Sequence, residues 1–352
     1  MHTTPRFASI AGSAVLTLAA LTGCGLTSST NKQHADAGGG DIEPIGYSAL
    51  FLQDPAQAAM VRTFQADVKK RRLKMLSPTS ANGDAAKQDS DIRSLVNAGA
   101  KSLFVIPADA QAVVPAIQYA TGRGVRVVTL MLGPSGGKTT HSLEVDNKAI
   151  GDQACRYLGE KTSGRGTVLQ VLGDLRQSTA QNRRKGFDAC MKARYPNIKV
   201  LTKTGGQWDP AKAAESAAGA LSTNPEIRGM FLHSDGYVPS VSQVLAKRGA
   251  QVGRSDPDHV WTVSVDGTPT VLDAIRAGTF DATITQPVDR FVSEGLDGLQ
   301  TLAKQPAIKQ GPTDHGTTVV LSGDGYTIDL FPPKLIDDKN VDDPANWANT
   351  AQ

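Results

Sequence analysis

The stretch SLFVIPADAQAVVPAIQYATGRGVRVVTLM, residues 102–131, decides the fold. Its first run, SLFVIP, and its last, VRVVTLM, are short, β-branched and apolar on both faces, the pattern of parallel strands covered by helices on each side. Between them AQAVVPAIQYATGRG carries helical spacing and ends in glycine. Strand, helix and parallel strand make one βαβ unit. The same alternation extends backward through IGYSALFL (45–52), PAQAAMVRTFQADVKK (55–70), LKMLSP (73–78) and AAKQDSDIRSLVNAG (85–99). After LEVD (143–146) a second series begins, in which helix KAIGDQACRYLGEK, strand GTVLQVLG, helix TAQNRRKGFDACMKARYP, strand IKVLTK, helix PAKAAESAAGALST, strand RGMFLH, helix YVPSVSQVLAKRG, strand VWTVSV and helix PTVLDAIRAG succeed one another. Two series predict an α/β protein of two doubly wound, Rossmann-like lobes. No third domain and no helix-turn-helix headpiece is read.

Composition agrees with that plan. The 352 residues, 39% apolar and only 5% aromatic, suit a globular chain long enough for two cores. Lys plus Arg number 37 against 34 for Asp plus Glu, so no strong field points toward nucleic acid. The basic run Lys69 to Arg72 reads as a solvated helix end.

The loop LGPSGGKTT (132–140) imitates a phosphate cradle and fails on spacing. A Walker loop places four residues between its first glycine and the Gly-Lys pair; Gly133 and Gly137 enclose three. No helix start follows, since TTHSLEVD reads as extended, whereas phosphate binding needs the N–H groups of a helix N-terminus. The glycines are expected to serve a flexible crossing between lobes. Catalytic patterns are equally thin. The six histidines share no metal-ligand spacing and no GxSxG or HExxH occurs. His233 and Ser234, adjacent on an extended chain, project to opposite sides and make a poor nucleophile and base. No metal and no cofactor is expected, and no enzyme activity.

The N-terminus reads as a secretory signal over residues 1–23, with a short h-region, ASIAGSAVLTLAA, too short to span a membrane. Leu21, two small residues and Cys24 then resemble the lipobox of bacterial lipoproteins, which implies lipidation of Cys24 and anchoring at the outer face of the cytoplasmic membrane. Residues 24–42, polar and glycine-rich, are expected to be a flexible tether. Cys155 and Cys190 remain. In an exported protein they form either one disulfide or two buried thiols, for spacing alone gives no Cα distance.

In open α/β sheets ligands gather beyond the carboxyl ends of the strands, and the loops there are rich in Asp, Asn, Gln and Trp, groups that suit a hydroxylated guest. At this point the segments add up. VSVDGTPTVLDAIRAGTFDATITQ (263–286), with VIPADAQAVVPAI, VRVVTL, VDNKAIGDQA and QNRRKGFDA, resembles in order and spacing the ribose-binding type of periplasmic sugar-binding proteins, the receptors of ABC importers. The resemblance runs from about 45 to 330. It implies the type I architecture with a three-segment hinge, crossing near Asp146, Asp266 and Gln286. The N-lobe would comprise 43–145 plus 287–314, the C-lobe 146–286 plus 315–332, and 333–352 would be a C-terminal tail.

Carried over position by position, the resemblance implies ligand contacts from Asp54, Trp208, Ser234, Asp235, Asp266 and Gln286. Asp54 also reads as an N-cap before Pro55, and Asp235 as a cap of the next helix. Trp208 would offer an indole face to a sugar ring and its N–H to a hydroxyl. Asp266 and Gln286 suit a neutral polyol, because a carboxylate accepts from vicinal hydroxyls while a carboxamide gives and takes. The departures are Met131 and Leu132 where the family has an Asp-Arg pair, Gln181 where it has an arginine (Arg183 and Arg184 lie close), and Ala56 and Gln57 in place of two aromatics. They imply a remodelled pocket, in which Gln57, Met131 and Gln181 are expected to take ligand-binding places. The expectation is a monomeric, lipid-anchored receptor that closes on a small neutral ligand, a sugar or polyol, and presents it to an ABC permease and its ATPase. The alternatives are a co-receptor of a sensor kinase and a receptor for a non-sugar molecule; a tethered hydrolase and a repressor of similar fold are disfavoured by the empty catalytic inventory and the export signal.

Overall fold

The computed structural model of the protein describes residues 42–137, 139–305 and 307–350. The expected signal segment, Cys24 and the tether up to residue 41 lie outside the described residues. Ile42, expected in the tether, is instead 1% exposed and belongs to the core.

The first series forms β1 (Ile45–Ala49), α1 (Pro55–Lys70), β2 (Thr79–Ser80), α2 (Ala85–Asn97), β3 (Ser102–Val105), α3 (Val114–Thr121), β4 (Arg126–Leu130) and β5 (His141–Val145). The second forms α4 (Asn147–Lys161), β6 (Gly166–Leu172), α5 (Ser178–Arg194), β7 (Ile198–Thr204), α6 (Pro210–Thr223), β8 (Ile227–Leu232), a 3-10 turn (Asp235–Tyr237), α7 (Val238–Lys247), β9 (Trp261–Asp266), α8 (Pro269–Arg276) and β10 (Ala282–Thr285). The chain then continues through α9 (Val288–Lys304), β11 (Gly311–Pro312), β12 (Thr318–Leu321), β13 (Thr327–Phe331), β14 (Lys334–Asp337) and α10 (Trp347–Thr350).

Capping chemistry explains the helix starts. Asp54, Asp84, Asp146 and Asp209 each accept a hydrogen bond from a backbone N–H of the following turn, and Pro55 and Pro210 supply the preset φ of a first helical residue. α3 begins four residues later than the sequence pattern suggests, because Asp109 bonds the N–H groups of Gln111 and Ala112 and holds a turn there. The expected strand 73–78 contracts to a single bridge between Met75 and Ile45, with β2 taking the pairing place beside β1.

The strands build two sheets, ordered β11-β12-β13-β5-β4-β3-β1-β2 and β14-β10-β9-β8-β6-β7. Within each, the βαβ strands pair in parallel, with Ile45 opposite Ser102 in the first and Ala282 opposite Val263 in the second. Tyr47, Phe64 and Phe104 fill the first lobe's core, while Phe187 and Phe231 stack in the second. Both sheets are covered by helices, as the apolar strands require.

Sheet membership corrects three expectations. β12 and β13 extend the first sheet, β13 lying parallel to β5, so 315–332 does not join the second lobe. The expected tail supplies β14, antiparallel to β10, and Trp347, whose Nε1 donates to the Asp266 carbonyl at 3.1 Å; both belong to the second lobe. The third crossing is therefore at Phe331 to Lys334 rather than at Asp266, which simply ends β9. Asp146 N donates to Phe331 O at 3.1 Å, so the first and third crossings run side by side. The glycine loop 132–140 also differs: it joins β4 to β5 inside the first sheet and crosses nothing. Gly133 is needed there because a Cβ would fall 2.2 Å from the Tyr326 hydroxyl, which bonds Pro134 O.

In the second lobe α4 and α5 cross at glycine contact. A Cβ on Gly186 would meet Lys148 O at 2.0 Å, and the bridge between Cys155 and Cys190 ties the same pair of helices. Of the two states left open by the sequence, the disulfide is the one observed. Among the described residues, no helix is long and apolar enough to cross a membrane.

Candidate functional site

A cavity of about 330 Å³ opens between the lobes, and every segment lining it follows the carboxyl end of a strand. The first lobe supplies Leu50, Phe51, Gln53, Asp54, Ala56 and Gln57 after β1, Ile106 after β3, and Met131 with Leu132 after β4. The second supplies Gln177, Thr179 and Arg183 after β6, Trp208 and Pro210 after β7, Ser234 and Gly236 after β8, Asp266 at the end of β9, and Gln286 after β10.

Asp266 is the centre of the polar side. It is 8% exposed and sits at φ 129°, a conformation rare for a side-chain-bearing residue and tolerable here because its neighbours fix the carboxylate. Oδ1 accepts from Gln286 Nε2 at 2.6 Å; Oδ2 accepts from Ser234 Oγ at 2.9 Å and from Asp235 N at 3.3 Å. Burial raises its pKa, opposed by the Arg183 guanidinium and by these hydrogen bonds. The Asp235 carboxylate turns away from the cavity into β9 and β10, where it accepts from Ser264 Oγ at 2.5 Å, Thr283 Oγ1 at 2.8 Å and Thr268 N at 2.7 Å. Burial and the neighbouring Asp266 raise its pKa.

Arg183, 3% exposed, is fixed by Asn147 Oδ1 at 2.9 Å and by the His233 carbonyl. It sits under the Trp208 ring with its guanidinium carbon 5.9 Å from the centroid. Burial, together with Arg183 and Arg184, drives the His233 imidazole well below its usual pKa, which keeps that ring neutral. Trp208 stacks on Tyr237 with centroids 6.4 Å apart. Its Nε1 donates to Gln177 Oε1 at 2.9 Å, while Gln177 Nε2 donates to Ala108 O of the first lobe at 3.1 Å. Gln177 thereby joins the two lobes at the edge of the cavity.

Two lining groups are buried without a protein partner: the Oε1 of Gln286 and the Oγ1 of Thr179. Buried polar groups are almost always bonded, and among the residues lining the cavity these two are the ones left without a partner. Across the cleft Asp54, capping α1 through Gln57 N at 3.0 Å, has its pKa pushed up to about 6 by burial and by the Asp266 charge. Among the described residues no group of His, Cys, Asp and Glu is arranged to hold a metal ion. The arrangement can accept and donate hydrogen bonds.

Residues 45–305 match the periplasmic binding protein domain family, about three quarters of the chain. The chain belongs to this family. Among curated relatives of this periplasmic binding protein, the xylitol-binding protein of Mycolicibacterium smegmatis is 28% identical over 66% of the chain, a match that spans 65% of that protein's length. The ribose import binding protein RbsB of Bacillus subtilis is 24% identical over 81% of the chain and 90% of its own length. A solved galactofuranose binding protein superposes with a TM-score of 0.74 at 19% identity, covering 87% of this chain and 98% of that one, which shows the shared fold. The two-lobed type I architecture read from the sequence is the architecture observed.

The residues singled out from sequence divide four ways in this periplasmic binding protein. Asp54, Met131, Trp208, Ser234, Asp266 and Gln286 line the cavity. Gln57 lines it too, but its Oε1 is spent on Leu50 N at 3.1 Å and Phe51 N at 2.9 Å, so it shapes the loop after β1. Gln181 lies outside, donating to Leu175 O at 2.8 Å, because it is two helical positions from both Thr179 and Arg183 and so faces the opposite side of α5. Asp235 acts behind Asp266, as described. The expected indole N–H contact with a hydroxyl also fails, since Gln177 already holds that group. Sequence reasoning missed Gln177 and Thr179, and left Arg183 as a neighbour only. The signal was available: all three sit in the loop and first turns after a strand whose carboxyl end faces the cleft.

Proposed function

We propose that the protein is the substrate-binding component of an ABC importer, exported and held at the outer face of the cytoplasmic membrane by lipid on Cys24. It captures a small neutral sugar or polyol between its lobes and hands it unchanged to the permease. The single observation that carries this reading is the cavity's supply of uncommitted buried polar atoms, Gln286 Oε1 and Thr179 Oγ1, beside the fixed Asp266 carboxylate. Hydroxyl groups donate to Gln286 Oε1 and to the carboxylate and exchange either way with Thr179 Oγ1; an anion would be opposed by the two acceptors, and the buried Arg183 guanidinium already beside Asp266 opposes a cation. Relatives named for ribose import and xylitol binding support the same class of guest.

The test is a thermal-shift panel of pentoses, hexoses and pentitols, including ribose and xylitol. A ligand present at 100 times its Kd stabilises the folded state by about 2.7 kcal/mol, which raises the Tm by several degrees. A panel in which no member moves the Tm defeats the reading. Anchoring is read separately: Cys24→Ala should move the protein from the membrane fraction to the soluble one.

A further inference from the structure

The two walls of the cavity differ in chemistry, and the difference specifies the guest. Leu50, Phe51, Ile106, Met131 and Leu132 form the first lobe's wall. Their backbone groups are largely committed. Leu50 N and Phe51 N bond Gln57 Oε1, Ile106 N bonds Ser48 O, Ile106 O accepts from Gln88 Nε2, and Met131 N bonds Leu143 O. Apart from Asp54 and Gln53 at its edge, this wall offers a ligand mainly carbon contacts. The facing wall carries Asp266, Ser234, Gln286 and Thr179, the last two with unpartnered polar atoms.

Met131 sharpens the contrast. Its φ of 69° places it in the left-handed region, where glycine, asparagine and aspartate are the usual occupants. A methionine held there against conformational preference, with its side chain on the cavity, marks a position where apolar surface is wanted.

We infer that the ligand is a deoxy-sugar or deoxy-polyol, with hydroxyls along the edge facing Asp266 and Gln286 and a methyl or methylene edge against Met131 and its apolar neighbours. This ligand class presupposes the receptor reading above. A hydroxylated guest can turn a C–H face to this wall, but a hydroxyl directed at Met131 and Leu132, away from the Asp54 and Gln53 edge, meets carbon, which a buried site penalises. A volume of about 330 Å³ is at the small end for ligand sites and suits one monosaccharide.

Matched pairs test it by isothermal titration of the full-length protein: L-fucose against L-galactose, L-rhamnose against L-mannose, and 6-deoxy-D-glucose against D-glucose, with xylitol and ribose alongside. The expected result is that the tightest binder is a deoxy compound, at least about tenfold tighter than its hydroxylated partner, within the range by which an apolar pocket rejects an added hydroxyl. Equal or tighter binding of a hydroxylated partner, of xylitol or of ribose overturns the ligand class and leaves the receptor reading intact. Binding by none of the eight overturns both. Met131→Asn, which the left-handed backbone accommodates, should shrink the deoxy preference about tenfold; an unchanged ratio would remove Met131 from the argument and overturn the assignment of the wall.

Discussion

Gln286 Nε2 lies 2.6 Å from Asp266 Oδ1, and that one bond fixes which end of the carboxamide is left for a guest. Because the N–H₂ end is drawn to the carboxylate, the oxygen end is the one without a partner. Gln286 also precedes α9, where the chain returns to the first lobe, so a ligand that bonds it touches a crossing strand directly.

Replacing Asp266 by asparagine isolates the charge. Asparagine is isosteric with aspartate and can still accept from Gln286, whereas alanine would remove the side-chain bonds that hold the φ of 129°. Hydrogen bonds to charged groups are worth about 1.5–3 kcal/mol. Affinity of Asp266→Asn for whichever sugar raises the wild-type Tm should therefore fall roughly tenfold to a hundredfold. Titration calorimetry showing wild-type affinity would place the ligand away from this carboxylate.

Gln177 makes a second prediction, because it bonds Ala108 O on one lobe and Trp208 Nε1 on the other. Gln177→Ala removes the inter-lobe bond and leaves an indole N–H unpaired, a loss of about 1–2 kcal/mol in the closed form. The expected signature is kinetic. Ligand dissociation should quicken about five- to thirtyfold while association changes little, since the contact exists only once the lobes have met. Stopped-flow following Trp208 fluorescence would measure both; an unchanged dissociation rate would assign Gln177 to loop structure alone.

How far the sequence carries depends on whether a feature is local. The Asp-Pro pairs at 54–55 and 209–210 mark the starts of α1 and α6 to the residue, because a cap and a preset φ are properties of neighbours. The acidic and amide residues that line the cavity are legible for a similar reason: polar residues at strand ends stand out. The apolar wall is not. Leu50, Phe51 and Ile106 continue apolar runs and read as core, and only the tertiary fold shows that they end on a cavity. The β12–β13 hairpin has its own signal, alternation around Ser322 to Gly325, yet nothing local says which sheet it joins. That choice is made by β13 meeting β5, a contact between segments far apart in the chain.

Asp54 predicts a pH dependence of definite sign. Its pKa is about 6 when folded, above the ordinary value near 3.9, so the folded state holds this proton more tightly than the unfolded one. The associated stability is complete below about pH 4 and is lost as pH rises through 6. Asp54→Asn keeps the cap and removes the titration. In the absence of ligand it should be more stable than wild type by on the order of 1–3 kcal/mol at pH 8, with the difference closing toward pH 4. Taking the difference between variant and wild type cancels the opposing contribution of His141 and His233, whose pKa values burial lowers. Chemical denaturation at several pH values measures it, and a difference that grows on acidification would reverse the assignment.

The bridge between Cys155 and Cys190 offers the last test, since it separates stability from binding. It closes a loop with a sequence separation of 35, for which chain entropy gives about 3–4 kcal/mol. The Cys155→Ala, Cys190→Ala variant should melt roughly 5–10 °C below wild type. Side-chain truncation in the α4 and α5 packing contributes to that figure, and a reductant distinguishes the two causes. Dithiothreitol should lower the wild-type Tm and leave the variant unchanged. Neither cysteine lines the cavity, so ligand affinity at 25 °C should stay within about twofold. A variant that melts like wild type would mean the crossed helices, joined by glycine contact at Gly151 and Gly186, hold their geometry without the covalent link.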